Sequence, residues 1–331
     1  MKDLMYISGD TDRSVIFVHE CGFKPSAEEY LDALIASVTA GIESDHAESL
    51  DLFVSVSKYL AYYSDLSREF LAAQSHYYDE QLDVSDLASA LHELKSIDRK
   101  KGFRVGNYDK LPGKSSVKEF AVSLLAPLLS AVGLEKRLVA DISKDLGEYW
   151  KDNSELGNAV LDRVRTTIQT ALDRNEQIML IAHGTGAIVA YDALWQLSHD
   201  PVYAGQYKDS KIDVFLTLGC PLGDSTVCRQ LKGARRKGRE RFPTNLVAWH
   251  NVAAEDDYIC HDKTVSDDFK AMLKQRQVSS IRDYHIYNLA IRYGDSNPHS
   301  AIGYLVHPRV TRIVIDWLTQ SFGKPLPKSI L

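Results

Sequence analysis

Residues 178–194 read IMLIAHGTGAIVAYDAL. Ile178–Ala182 is an apolar run of strand length, HGTG is a turn of small residues, and AIVAYDALW carries apolar residues at helical spacing. Strand, tight glycine turn and helix form the setting in which many hydrolases hold a catalytic serine, in the pattern G-x-S-x-G. Here the five positions are Ala182, His183, Gly184, Thr185 and Gly186. Gly184 therefore holds the place of the nucleophile. The rest of the chain must decide between a hydrolase without its serine and a turn that never held one.

On either side of this turn, buried-strand patterns alternate with helical ones. SVIFVHECG (14–22) is a β-branched strand running into small residues, and PSAEEYLDALIASVTAG (25–41) has helix start and stop signals. LDLFVSVSKYLAYYSDL (50–66) contains the next strand. Downstream, KIDVFLTLGCPLG (211–223), NLVAWHNVAAEDD (245–257) and YHIYNLAIRYG (284–294) each give a strand, and AIGYLVHPRVTRIVIDWL (301–318) is helical in its second half. Such alternation predicts an α/β fold with a mostly parallel central sheet flanked by helices. From 67 to 154 the periodicity is helical without a clear strand. The chain thus divides into a core of 1–66 and 155–331 and a helical cap insertion of 67–154.

Composition narrows the classes of function. The chain has 331 residues, 44% hydrophobic and 25% charged, with a net charge of −6. That balance gives no overall attraction to nucleic acid or anionic membranes. Cys21, Cys220, Cys228 and Cys260 form no CxxC pair and no metal-ligand spacing, and fit a reducing compartment. Charges interrupt the first twenty residues where a signal peptide needs an apolar core, so a cytoplasmic protein is expected. No uncharged run exceeds the length of FAVSLLAPLLSAVGL (120–134), roughly 15 residues against the ~20 needed to span a bilayer. It reads as a buried helix of the insertion; a lid over a lipophilic site and a face for a second copy of the chain are the other two readings.

In a parallel sheet, ligand sites lie beyond the carboxyl ends of the strands. HECG, HGTG, GCPLG, AAEDD and GDSNPHS all fall there. An acyl-transfer triad on such a sheet runs nucleophile, acid, histidine in chain order. Gly184 marks the first place. The acid comes from Glu255, Asp256 or Asp257; Asp257 is preferred because it directly precedes Tyr258 and Ile259, and Asp256 is the alternative. His299, after the last strand and before the last helix, is the base that would take and return the proton. The oxyanion hole would use the backbone N–H of Thr185 and that of Glu20 or Cys21.

The stretches AHGTGAIVAYDALW, LTLGCPLG, WHNVAAEDDYICHD and NPHSAIGYLVHPRV resemble α/β-hydrolases of the lipase/esterase-like serine hydrolase kind, over roughly 12–66 and 155–320. The resemblance implies hydrolysis of a small-molecule or lipid ester through an acyl-enzyme, with a serine at 184, Asp257 as acid and His299 as base. No cofactor and no metal are expected. Glu20 departs from the commoner glycine, and Gly184 removes the nucleophile, which puts activity and not fold in question. Thr185 cannot take over, since its side chain starts from a neighbouring Cα. Two functions follow: a serine hydrolase disarmed at 184, or a natural pseudoenzyme that binds a ligand or partner.

The other motifs have plainer readings. HGTG lacks the spacing of a dinucleotide turn and the lysine of a P-loop. Cys220 reads as a buried small residue, His183 as packing beside the turn, and His261–Asp262 as half a metal site without a third ligand. His285 and His307 have no evident partner. The basic run KGARRKGRER (232–241) reads as a solvated loop, with anionic headgroups or phosphates as the functional alternative.

Overall fold

The computed structural model describes residues 5–73, 78–99, 101–112, 144–260 and 262–320. Its frame is a seven-stranded sheet in the order β1-β3-β2-β4-β5-β6-β7. The strands are β1 (Met5–Ile7), β2 (Arg13–Val18), β3 (Ser57–Ala61), β4 (Gln177–His183), β5 (Ile212–Leu218), β6 (Leu246–Ala254) and β7 (Ser280–Ile286). All pairings are parallel except β1 with β3.

Side-chain alternation along the buried strands builds two cores. Ile16, Val18, Leu180 and Ala182 face one side, against α4 (Glu155–Asp173) and α5 (Gly186–His199) through Val164, Ile168, Ile188 and Leu194. Val15, Phe17, Met179 and Ile181 face the other, against α1 (Ala27–Asp45) and α7 (Pro308–Thr319) through Leu31, Leu34, Val314 and Trp317. Strands buried on both faces read as continuous apolar runs, which is why IMLIA and VFLTL carry no polar alternation. The helix starts follow their caps: the Glu29 N–H donates to Ser26 Oγ at 3.3 Å, and the Gly157 N–H to Ser154 Oγ at 2.9 Å.

Three details differ from the sequence expectation. β1 was not expected; it is short and lies antiparallel at the sheet edge. The strand expected over 284–294 ends at Ile286, and a separate hairpin of β8 (Ile291–Arg292) and β9 (Asp295–Ser296) follows. Residues 301–318 are helical in both halves, as α6 (Ala301–Val306) and then α7, because Pro308 opens a second helix rather than extending a loop.

The described part of 67–154 contains helices and turns and no strand. It includes the end of α2 (Ser64–Ala72), which crosses residue 67, and α3 (Glu80–Lys95). Leu94 and Tyr108 pack with Leu289, Ile302 and Val306, so this stretch shares a small apolar cluster with α6. The apolar run 120–134 lies outside the described residues, and with it the lid and second-copy readings. No helix among the described residues is long and apolar enough to cross a membrane.

The turn after β4 sits against the loop after β2. A Cβ at Gly186 would run into the His19 carbonyl oxygen. Gly186→Ala is therefore expected to lower stability by about 1–3 kcal/mol through overpacking, measured as the shift of the urea unfolding midpoint at unchanged slope; a neutral result would show that the two loops are not in contact.

Candidate active site

Four loops at the carboxyl ends of the strands converge. The loop after β2 is held by His19, a buried histidine stacked on Tyr63 with ring centroids 4.0 Å apart. His19 Nε2 accepts from the Tyr63 N–H at 3.0 Å, and Nδ1 lies 2.7 Å from the Glu20 carbonyl oxygen. Burial, helped by the Lys24 charge, pushes its pKa down to about 3, so the ring is neutral. Pinned this way, the next residue, Glu20, turns its carboxylate toward the end of β4.

There the chain passes through Gly184 at φ +54, and the Gly184 N–H donates to the Leu218 carbonyl at 2.9 Å. This is the left-handed conformation that glycine takes without steric cost. A Cβ on Gly184 would lie 2.9 Å from His299 Nε2 and 3.0 Å from Glu20 Oε2. The space that a side chain at 184 would enter is thus partly taken by the Glu20 carboxylate.

His299 is buried between two acids. Its Nδ1 is 2.9 Å from both Asp257 oxygens, and its Nε2 is 2.7 Å from Glu20 Oε2. Asp257 is itself braced by the Tyr304 hydroxyl, which donates to Oδ2 at 2.7 Å, and by the Ile259 N–H at 3.0 Å. Lys24 Nζ lies 3.3 Å from the other Glu20 oxygen. Burial opposes the imidazolium, but the Asp257 and Glu20 carboxylates outweigh it and raise the His299 pKa to about 10. Burial likewise opposes both carboxylates; Lys24 and then His299 hold Glu20 well below the usual range, and His299 lowers Asp257. A doubly protonated ring with Nε2–H committed to Glu20 cannot take a proton from a hydroxyl.

Asp257, not Asp256, meets His299. Asp256 Oδ2 accepts from the Tyr108 hydroxyl at 2.9 Å, and Glu255 pairs with Lys263 at 2.6 Å. Of the expected oxyanion donors, the Cys21 N–H is engaged: it donates to the Thr185 side-chain Oγ1 at 2.9 Å. Glu20 was expected to offer its backbone; its side chain is what reaches the site. His183 follows the packing reading in part: it is buried, its ring lies 4.5 Å from that of His299, and its Nε2 donates to the His299 carbonyl at 2.8 Å. Cys220 is buried with its thiol pushed up to about 11 by desolvation, so it offers no nucleophile. His307 caps α7 by accepting from the Arg309 N–H at 3.0 Å, and the basic run 232–241 stands among half-buried and exposed loop residues. His261 lies outside the described residues.

A cavity of about 350 Å³ opens onto the cluster. Phe23, Leu87, Ala90 and Ile291 supply apolar wall, and Arg292, paired with Asp83 at 2.7 Å, supplies a charged one. Leu87 and Ala90 belong to α3, so the helical stretch walls the pocket. No protein-family model matches the sequence, and no curated protein or solved structure matches it either.

His299 has a folded pKa near 10 against an ordinary 6.5. Its charge pairs therefore contribute stability that is full below about pH 6.5 and is lost as pH rises through 10. Chemical denaturation from pH 6 to 10 is expected to show a larger loss for the wild type than for Glu20→Gln, which removes one of the two carboxylates. Parallel curves would show that Glu20 does not hold the charge.

Proposed function

We propose that this chain is an α/β-hydrolase-type protein of the lipase/esterase-like kind, with 67–154 as a helical cap, that binds a ligand in the pocket rather than cleaving an ester. One observation carries the reading: the Glu20 carboxylate stands in the nucleophile's space and satisfies His299 Nε2. Serine acyl transfer needs a hydroxyl, a neutral base beside it and free oxyanion donors. Gly184 supplies no hydroxyl, His299 is held as a cation, and the Cys21 N–H is engaged by Thr185. The pocket itself has the size and mixed lining of a small-molecule site.

A second reading, ester hydrolysis with a serine at 184, has its own support. Asp257, His299 and the Tyr304 brace have the arrangement that orients a catalytic histidine, and Gly184 keeps the left-handed turn of an elbow. The two readings separate in one experiment with a fluorophosphonate probe on four proteins: wild type, Gly184→Ser, Gly184→Ser with Glu20→Gly, and that pair with His299→Ala. The binding reading expects no labelling of the wild type, and labelling of the double variant at least tenfold above Gly184→Ser alone. Labelling of Gly184→Ser equal to the double variant and abolished by His299→Ala would overturn it, because Glu20 would then be no obstacle.

A further inference from the structure

We infer that Glu20, His183 and His299 form a binding site for a divalent transition-metal ion, of the zinc or cobalt type, at the floor of this pocket. The inference rests on reading the pocket as a binding site and names the ligand. A carboxylate oxygen of Glu20 and one ring nitrogen from each histidine lie within 4.8 Å of one another. Two imidazoles and one carboxylate suit such ions, and three protein ligands with an open face are the pattern of sites that exchange a fourth ligand. The open face here is the cavity.

An independent observation points to a ligand. His183 commits Nε2 to the His299 carbonyl, and its Nδ1 is fully buried with no hydrogen-bond partner among the described residues. A buried ring nitrogen left with a bare lone pair is a cost that a metal removes. The surroundings also match. Metal-ligating histidines donate their other N–H to a carboxylate or a backbone carbonyl, which fixes the ring. His299 gives Nδ1–H to Asp257, and His183 gives Nε2–H to a carbonyl. Asp257 is held in turn by Tyr304 and Ile259. On binding, the ion takes the place of the Nε2 proton between His299 and Glu20, and that proton leaves to solvent. Ligand atoms about 2.0–2.2 Å from one ion sit about 3.3–3.6 Å apart in a tetrahedral site, so the 2.7 Å contact must open and the wider ones close. Glu20, with its side chain 26% exposed, can make that move.

The three ligands sit 163 and 116 residues apart in sequence, at positions 20, 183 and 299. Spacing rules that search for local clusters therefore pass over them.

The test titrates the metal-free full chain with Zn²⁺ by calorimetry and with Co²⁺ by its visible absorption. One ion per chain and the absorption of low-coordinate cobalt are expected. Glu20→Gln, near-isosteric, and His183→Ala should each weaken binding at least a hundredfold, Asp257→Asn ten- to a hundredfold, and His92→Ala, on an exposed helix face, not at all. Circular dichroism confirms that each variant is folded. A flat titration of the wild type, or binding unchanged in folded Glu20→Gln, overturns the site. Either result leaves the pocket reading standing, since that falls only to the fluorophosphonate comparison.

Discussion

An imidazolium buried beneath a protein surface needs compensation on every side, and His299 has it. Transfer of a charge out of water costs several kcal/mol even after relaxation, and the cost is offset only by close, well-directed partners. Asp257 serves Nδ1 and Glu20 serves Nε2. Each acid is then tied down again, Asp257 by Tyr304 and Glu20 by Lys24. The chain of charges alternates in sign from Lys24 through Glu20 and His299 to Asp257. Removing an inner member takes a charge partner from each of its neighbours, so the members support one another beyond their single contacts.

The sheet makes this chain of charges reachable from four distant segments. Parallel strands end on one side, and each strand hands its loop to the same edge. The backbone ladder continues past the strand ends: Gly184 donates to Leu218, Gly219 to Val252, and Glu255 to Ile286. These bonds fix where each loop leaves the sheet. Two glycines then permit the close approach. Gly186 lets the turn touch the His19 carbonyl, and Gly184 leaves room for the Glu20 carboxylate. The apolar cores on both faces supply stability, and the loops use it to hold charges that would otherwise repel water-free surroundings.

Much of the frame was legible because it obeys local periodicity. Apolar runs such as IMLIA and VFLTL are strands since both faces are covered, and Ser26 and Ser154 start helices since they cap orphan N–H groups. That the acidic loop after β6 meets the loop carrying His299 was legible too, from loop order. What could not be read was side-chain direction. Whether Asp256 or Asp257 faces the histidine depends on Asp256 adopting φ +58 and turning to Tyr108. The brace from Tyr304 and the reach of the Glu20 side chain depend on loop conformation, and no spacing rule encodes it. Glu20 did carry a signal, as an acid where the resemblance leads one to expect a glycine, but its meaning needed the position of His299.

Gly184 and Glu20 are best understood together. Both side chains would enter one volume beside His299 Nε2: a Cβ at 184 would sit 3.0 Å from the Glu20 Cβ and Oε2, so the carboxylate must shift to admit it. A serine at 184 asks for a small residue at 20 and a neutral histidine. A glutamate at 20 asks for glycine at 184 and holds the histidine charged. Glycine at 184 and the carboxylate of Glu20 therefore go together, and the carboxylate keeps a proton on His299. That pairing makes the floor of the pocket an electrostatic clamp, and it is the physical reason the pocket is proposed as a place of binding.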